Sequence, residues 1–246
     1  MKLKVFTFVI GLTLVLTGCG GGGEDWASKD PSALASSANN FDIAAAWTTF
    51  NAMPNTKPMV VSGSCTGSYI ISNTAATYAS STDLYNYTTI NGLYERCSPE
   101  FASKQGLQYY NSVHYFKYQN LKLQNFQYDY NSAPNVWRAL SNFPSSAKVG
   151  DSGLIGVLDN YTSADQTTKA GVEEWRYAIE QNTATTVVFN LIVKAYDTTT
   201  SSTATDYLSA PVVQTEQYRY VVTSNNTMTL RSYDIEQPGG FKATAK

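Results

Sequence analysis

The sequence predicts a mainly β protein: an antiparallel meander, sandwich or curved sheet with one short N-terminal amphipathic helix. Three observations support this fold class. Five runs rich in β-branched and aromatic residues follow one another in the C-terminal part, turn-forming residues separate them, and two runs alternate apolar with polar residues. The chain has 246 residues, enough for one large or two small domains.

The helix is predicted for residues 41–53. Ile43, Trp47 and Phe50 recur at helical spacing, and Asp42 can accept a hydrogen bond from the first turn as an N-cap. Pro54 follows, as expected beyond a helix end. We expect the apolar stripe of this helix to pack on the sheet.

Short β-rich runs follow the helix, at 60–61, 68–73, 84–90, 93–97, 107–118, 121–130 and 136–140. Between the fourth and fifth runs, Pro99 opens a predicted helical turn that Gly106 ends. A Pro-Ser-Ser stretch that begins at Pro144 favours a boundary between residues 145 and 146. Residues 41–145 then form a Tyr-rich β region, although a continuous single domain is an alternative.

The five C-terminal runs, within residues 146–237, predict an antiparallel meander at 154–158, 172–180, 186–196, 212–223 and 228–235. In the second run, Trp175, Tyr177 and Ile179 alternate with charged residues. We expect the charged set, which includes Glu174 and Glu180, to face water. The third run is apolar at successive positions and should be central. Residues 238–246 are expected to be a frayed tail.

The N-terminal residues predict an export signal. Lys2 and Lys4 precede an apolar run at 5–15, and Leu16-Thr17-Gly18-Cys19 follows, then four glycines. This pattern resembles the lipobox of bacterial lipoproteins, whose cysteine becomes the lipid-modified first residue of the mature chain. The alternative is an uncleaved transmembrane helix, which glycine in a helix interior disfavours by roughly 1 kcal/mol per residue.

The resemblance implies a location in the cell envelope and a lipid anchor. Residues 1–18 would be the signal peptide, and acyl chains such as palmitate on Cys19 would hold the protein in the membrane. Residues 19–40, rich in Gly, Ser, Ala and Asn, would be a flexible tether. Since Gly20 rather than aspartate follows Cys19, the family's sorting rule implies the outer membrane, at its periplasmic face or the cell surface.

Charge and cysteine content narrow the function classes. The chain has 17 Lys and Arg against 19 Asp and Glu, with no basic stripe, so a nucleic-acid partner is not expected. Cys65 and Cys97 are left once Cys19 is acylated. In an exported protein we expect them to form a disulfide, which closes a loop of about thirty residues. Such a disulfide stabilises the folded state by roughly 3 to 4 kcal/mol. Two separate buried thiols are the alternative.

The sequence offers one catalytic motif. Gly150-Asp151-Ser152-Gly153 resembles the nucleophile loop of trypsin-like serine proteases, with His114 and Asp129 as possible partners. Leu154 stands where that family has a further glycine, and the spacing is too short for a double barrel. We interpret the motif as a turn. His114 is the single histidine, so no histidine cluster can bind a metal. We expect no catalytic residues, metal or cofactor.

Tyrosines give the remaining functional signal. Their flat rings and hydroxyls suit sugars and protein interfaces, although tyrosine also fits half-buried sheets. The cluster is Tyr109, Tyr110, Tyr115, Tyr118, Tyr128 and Tyr130. We therefore expect a non-catalytic, lipid-anchored envelope protein that binds or assembles with another envelope protein or a glycan. The alternatives are a lipid-handling protein with an apolar cavity near Trp175 and Phe189, and a carboxylate-dependent hydrolase.

Overall fold

The computed structural model describes residues 39–77, 84–111, 116–117, 126–127, 134–139, 143–162, 166–198 and 207–246. Within these ranges the chain forms one α-helix, α1 (Ile43–Ala52), and short 3₁₀ helices at Pro99–Lys104, Tyr207–Ser209 and Pro238–Gly240. The strands are β1 (Asn55–Gly63), β2 (Cys65–Thr77), β3 (Leu84–Cys97), β4 (Gln108–Asn111), β5 (Phe116–Lys117), β6 (Phe126–Gln127), β7 (Pro134–Trp137), β8 (Ser152–Tyr161), β9 (Lys169–Gln181), β10 (Thr186–Tyr196), β11 (Val212–Thr223), β12 (Met228–Gln237) and β13 (Phe241–Ala245).

The strands form one antiparallel sheet. Its order is β4-β3-β2-β1-β13-β12-β11-β10-β9-β8-β7-β6, and β5 pairs with β3. Strands from both sides of position 146 belong to it, since β7 pairs with β8 and β1 pairs with β13. The predicted fold class, mainly antiparallel β with one short helix, is confirmed.

The C-terminal meander is confirmed strand by strand. β8 to β12 are consecutive neighbours in the sheet, and β10 and β11 have the predicted bounds. β10 is buried on both faces from Val187 to Lys194, as expected of a central strand. The Asn226 backbone has φ +58°, which an asparagine tolerates in the turn between β11 and β12.

The helix α1 covers one face of this sheet, which we call the inner face. Asp42 caps it, because its carboxylate accepts a hydrogen bond of 2.8 Å from the Ala45 amide. The buried rings of Trp47 and Phe50 lie edge-on to Tyr220 of β11, with ring centroids 5.5 and 5.3 Å away. The predicted helix and its packing face are confirmed.

The end of the described chain is not a frayed tail, so that expectation is wrong. β13 lies inside the sheet, between β1 and β12. Phe241, Ala243 and Ala245 alternate with polar residues and are buried on the inner face. Gly63 of β1 allows the close approach, since a Cβ there would lie 2.5 Å from the Lys242 carbonyl oxygen.

β3 is one continuous strand that contains the two β-rich runs 84–90 and 93–97, which the sequence predicts as separate. Gly92 interrupts the pattern, but the ring of Tyr69 on β2 lies over it, and a Cβ there would be 2.0 Å from the ring. The glycine therefore continues the strand and makes room for the aromatic side chain. The predicted helical turn is the 3₁₀ helix Pro99–Lys104, and Gly106 with φ +78° ends it.

Candidate functional site

Glu216 lies at the centre of a buried cluster on the inner face. It belongs to β11, opposite Val193 of β10 and Ile235 of β12. The Tyr218 hydroxyl donates a hydrogen bond of 2.7 Å to one carboxyl oxygen, and the Gln214 amide donates to the other. The side chain is only 7 % exposed, so these donors replace the water that a carboxylate normally binds.

Four buried tyrosines pack around this carboxyl group. The rings of Tyr218 and Tyr233 are 4.8 Å apart, and Tyr233 lies 6.0 Å from Tyr69. The hydroxyl of Tyr69 donates to that of Tyr94. We call Glu216, these four tyrosines and Glu173 the tyrosine–carboxyl cluster.

Glu173 is the second carboxyl group of the cluster and lies on β9. It accepts hydrogen bonds from the indole N–H of Trp175, at 2.9 Å, and from the amide of Asn160, at 3.1 Å. Burial raises the pKa of the Glu173 carboxyl. Burial also raises the pKa of Glu216, and the negative charge of Glu173 raises it further, so the two groups disfavour each other's ionisation.

A chain of hydrogen bonds connects Glu216 to the 3₁₀ helix Pro99–Lys104. The Lys104 ammonium donates to the Gln237 side-chain oxygen at 2.6 Å, and the Gln237 amide donates to the Gln214 oxygen at 2.8 Å. Gln214 completes the chain by donating to Glu216. The Cys65–Cys97 disulfide fixes the start of this helix against β2 and confirms the predicted pairing.

The opposite, outer face of the sheet carries a row of polar side chains across β9 to β13. Asn190 donates to Glu180 at 2.8 Å and to Gln217 at 3.0 Å, and Arg219 pairs with Asp234. Asn190 is fully buried, and its side-chain oxygen has no hydrogen-bond partner among the described contacts.

The expectation that Glu174 and Glu180 face water is wrong, because both are buried on this outer face. Glu174 accepts a hydrogen bond of 2.6 Å from the Tyr207 hydroxyl and pairs with Arg176. Lys194 lies opposite Glu174 in the register, and burial lowers its pKa to about 8. Polar partners on the same strand, on neighbouring strands and in the 3₁₀ helix Tyr207–Ser209, rather than solvent, satisfy this face.

The outer face is different on β1 to β3, where aliphatic side chains are exposed. Val60 is 72 % exposed, Ile70 48 % and Leu93 38 %. Val60 and Leu93 flank Ser68 on opposite sides, and Pro58 pairs with Ile70. We call Pro58, Val60, Ser68, Ile70 and Leu93 the β1–β3 surface. Large exposed apolar groups side by side are typical of interaction sites.

The structure describes only some of the residues that the sequence singles out. Cys19, His114 and Asp129 lie outside the described residues, as do Tyr115, Tyr118, Tyr128 and Tyr130. Tyr109 and Tyr110 belong to β4, of which only the backbone is described.

The turn interpretation of Gly150-Asp151-Ser152-Gly153 is supported by the local geometry. Gly150 has φ +90°, and the Asp151 carboxylate accepts a hydrogen bond of 2.9 Å from the Lys148 amide. Ser152 is exposed at the first position of β8. The aspartate therefore closes the turn that leads into the strand.

The sequence prediction did not include Glu216, although the pattern contains a signal for it. Glu216 has the same parity as Tyr218, Tyr220 and Val222, so strand alternation places it on the buried face. Its donors Gln214 and Tyr218 lie two residues away on β11, but Gln237 and Lys104, which extend the hydrogen-bond chain, and the tyrosines of β2 and β3 are distant in sequence. The cluster could therefore not be assembled from spacing alone.

No group of three or more His, Cys, Asp or Glu side chains among the described residues is arranged to hold a metal ion. Within the same ranges, no helix has the length and apolarity to cross a membrane. Comparison with family models, curated proteins and solved structures found no match in any of the three.

Proposed function

We propose that this protein is a lipid-anchored component of the bacterial cell envelope that binds an apolar protein surface through its β1–β3 surface and catalyses no reaction. The observation that carries the proposal is the exposure of Val60, Ile70 and Leu93 side by side on one face of the sheet. Covering aliphatic groups stabilises a complex by about 25 cal/mol per Å² of apolar area removed from water.

The chemistry of the β1–β3 surface favours a protein rather than a glycan as its partner. Its large side chains are aliphatic and offer no aromatic ring on which a sugar could stack. The flanking outward positions carry hydroxyls, at Ser62 and Ser72. Lys246 borders Val60 at the β13 side, and the exposed Arg96 lies opposite Thr66 at the end of the surface. Apolar groups rimmed by polar and charged ones resemble the core of a protein interface.

The tyrosine–carboxyl cluster is better explained as a buried structural network than as a hydrolytic site. Each Glu216 oxygen already accepts a hydrogen bond from the protein, and so does each Glu173 oxygen. A general acid or base needs an oxygen that can reach the proton of a substrate.

The packing around Phe189 also argues against an apolar cavity at that position. Its ring is fully buried and lies 5.5 Å from Phe143 and 6.0 Å from Trp47 of α1. Side chains of the protein occupy the place that a bound lipid would need there.

The envelope location is supported by the lipobox-like Leu16-Thr17-Gly18-Cys19 and by the Cys65–Cys97 disulfide. Disulfides persist in extracytoplasmic compartments and are rare in the cytosol. The anchor would confine the β1–β3 surface to a thin layer beside the membrane, where a modest affinity is sufficient for assembly.

The experiment is site-specific photo-crosslinking of the full chain in intact cells. A photoreactive residue at Val60 should give a discrete protein adduct. Leu208, which is 65 % exposed but lies outside the β1–β3 surface, is the matched control position and should give none. A Val60 position that yields no protein adduct, or the same adducts as Leu208, would show the proposal to be wrong.

A further inference from the structure

We infer that Asn91 is a site of spontaneous deamidation, which the pairing of β3 with the edge strand β4 holds back in the folded chain. Asn91-Gly92 is the only Asn-Gly pair in the sequence. In such a pair the backbone nitrogen of the glycine can reach the asparagine side chain, because glycine has no Cβ to obstruct the approach. The modification is independent of the proposed function and goes beyond it.

The reaction needs only water as a co-reactant. Loss of the Gly92 amide proton to hydroxide leaves a nitrogen anion, which attacks Cγ of Asn91. A new N–C bond forms, the side-chain nitrogen takes up a proton and departs as ammonia, and a cyclic imide results. Water then opens one of the two imide carbonyls. One product is aspartate, and the other is isoaspartate, in which the side-chain carbon has become part of the main chain.

The Asn-Gly pair lies in an unusual place. Asn-Gly is typical of a tight hairpin turn, but here it is inside β3. Gly92 pairs with Tyr69 of β2 on one side and with Tyr109 of β4 on the other. The ring of Tyr69 lies over Gly92, where a Cβ would be 2.0 Å from it. The packing therefore requires the glycine that makes this pair labile.

The direction of the Gly92 amide determines which strand protects it. The Tyr94 amide donates to the Leu107 carbonyl, at the start of β4. Alternate amides of an antiparallel strand point to the same side, so the Gly92 amide faces the Tyr109 carbonyl. β4 has four residues and stands at one end of the strand order. Since short pairings at a sheet edge open more readily than the core does, opening of β4 controls the reaction.

Deamidation changes the chemistry of the β1–β3 surface. Asn91 is exposed and lies directly opposite Ile70. Both products place a carboxylate beside this aliphatic side chain, and isoaspartate also lengthens the main chain of β3. Covering that charge with an apolar partner costs free energy, so the modified chain should bind such a partner more weakly. This consequence rests on the proposed function, whereas the modification itself does not.

The test incubates the full chain at mildly alkaline pH and follows Asn91 by peptide mass spectrometry that separates aspartate from isoaspartate. We expect slow conversion in the folded chain and much faster conversion in urea. Asn182, exposed and followed by Thr183, is the internal control. Its β-branched neighbour hinders the attacking nitrogen, so in urea Asn182 should convert more slowly than Asn91.

A matched pair of substitutions in β4 tests the protection. Tyr109→Pro removes an amide that faces β3, whereas Tyr110→Pro removes one that points away, which an edge strand tolerates. In the folded chain, Tyr109→Pro should speed the conversion of Asn91 about three- to tenfold, the effect of one lost hydrogen bond on local opening. Tyr110→Pro should stay close to the wild-type rate. Protease resistance should confirm that both variants fold.

Three results would overturn the inference. Equal conversion of Asn91 in the folded and unfolded chains, or equal rates for the two proline variants, would show that β4 does not protect the amide. Absence of conversion in urea would exclude the reaction. Asn91→Asp carries the charge of the product and should weaken the photo-adduct at Val60. An unchanged adduct would reject the effect on binding alone, and a wild-type chain without any adduct would reject the proposed function but not the deamidation site.

Discussion

Glu216 shows how one residue can make the stability of the protein depend on pH. Burial raises the pKa of its carboxyl group, so the folded chain holds this proton more tightly than the unfolded chain does. The contribution of Glu216 to stability is therefore fully present below the unfolded pKa, near 4.3, and is lost as pH rises through the folded pKa. Glu173 acts in the same direction.

We predict that Glu216→Gln makes the protein less sensitive to rising pH. Glutamine keeps the shape and one oxygen acceptor of glutamate but does not ionise in this range. The melting temperature of the variant should therefore fall less between pH 5 and pH 8 than that of the wild type. Thermal unfolding followed by circular dichroism across this range measures the effect. Glu95→Gln, at an exposed position, is the control and should leave the wild-type pH profile unchanged. Parallel profiles for Glu216→Gln and wild type would contradict the prediction.

At the scale of elements, the short strand β13 connects several other elements through the packing of one side chain. Its Phe241 ring lies 5.6 Å from Tyr94 and 5.3 Å from Phe101, and the Lys104 ammonium lies 4.6 Å from its centroid. One side chain thus joins β13 to β3 and to the 3₁₀ helix that begins beside the disulfide.

We predict that Phe241→Ala lowers the free energy of unfolding by about 3 to 5 kcal/mol, because removal of the ring leaves a cavity among the surrounding aromatic side chains. Lys242→Ala removes an exposed side chain next to it and should change stability by less than about 0.5 kcal/mol. Urea unfolding measures both. Equal effects of the two substitutions would mean that β13 is not packed as described.

The predictability of the elements depended on how local their signals are. α1 and the strands β8 to β12 were predictable because a cap, an alternation or a turn lies within a few residues of each. β13 was not, because Pro238-Gly239-Gly240 is typical of a chain end and the neighbour on one side, β1, lies far away in sequence. The burial of Glu174 and Glu180 on the outer face was not predicted for a related reason. Glu180 contacts Asn190 and Arg219 only once the strands have paired.

At the scale of the whole molecule, the disulfide constrains the part of the chain that carries the β1–β3 surface. Cys65 and Cys97 are paired residues at the ends of β2 and β3, 32 positions apart in sequence. The loop between them contains Ser68, Ile70 and Leu93. The crosslink should therefore stabilise the same hairpin that we propose as the interface.

We predict that Cys65→Ser with Cys97→Ser lowers the free energy of unfolding by about 2 to 4 kcal/mol, since the unfolded chain regains the freedom of the open loop. Urea unfolding of the double variant should coincide with that of the wild type under reducing conditions. An unchanged urea midpoint would show that the crosslink contributes nothing to stability.

The proposed anchor makes a prediction for the location of the whole chain. Cys19→Ser should lose both incorporation of a labelled fatty acid and recovery in the membrane fraction. Gly20→Asp is the matched control, which should keep the label but move to the inner membrane if the sorting rule applies. Membrane fractionation with fatty-acid labelling checks both, and a labelled Cys19→Ser chain would refute acylation at this cysteine.

The position of β13 between β1 and β12 has a consequence for the order in which the protein is made. A chain that crosses a membrane N-terminus first delivers β1 early and β13 after every other described strand. Until then, the edge of β1 that β13 will occupy has no native partner, while β2 and β3 can already pair and form their disulfide. An open strand edge is a site for mispairing with other chains. If the chain is exported as we propose, we expect the nascent protein to need rapid completion of export, or a chaperone at that edge, to avoid aggregating.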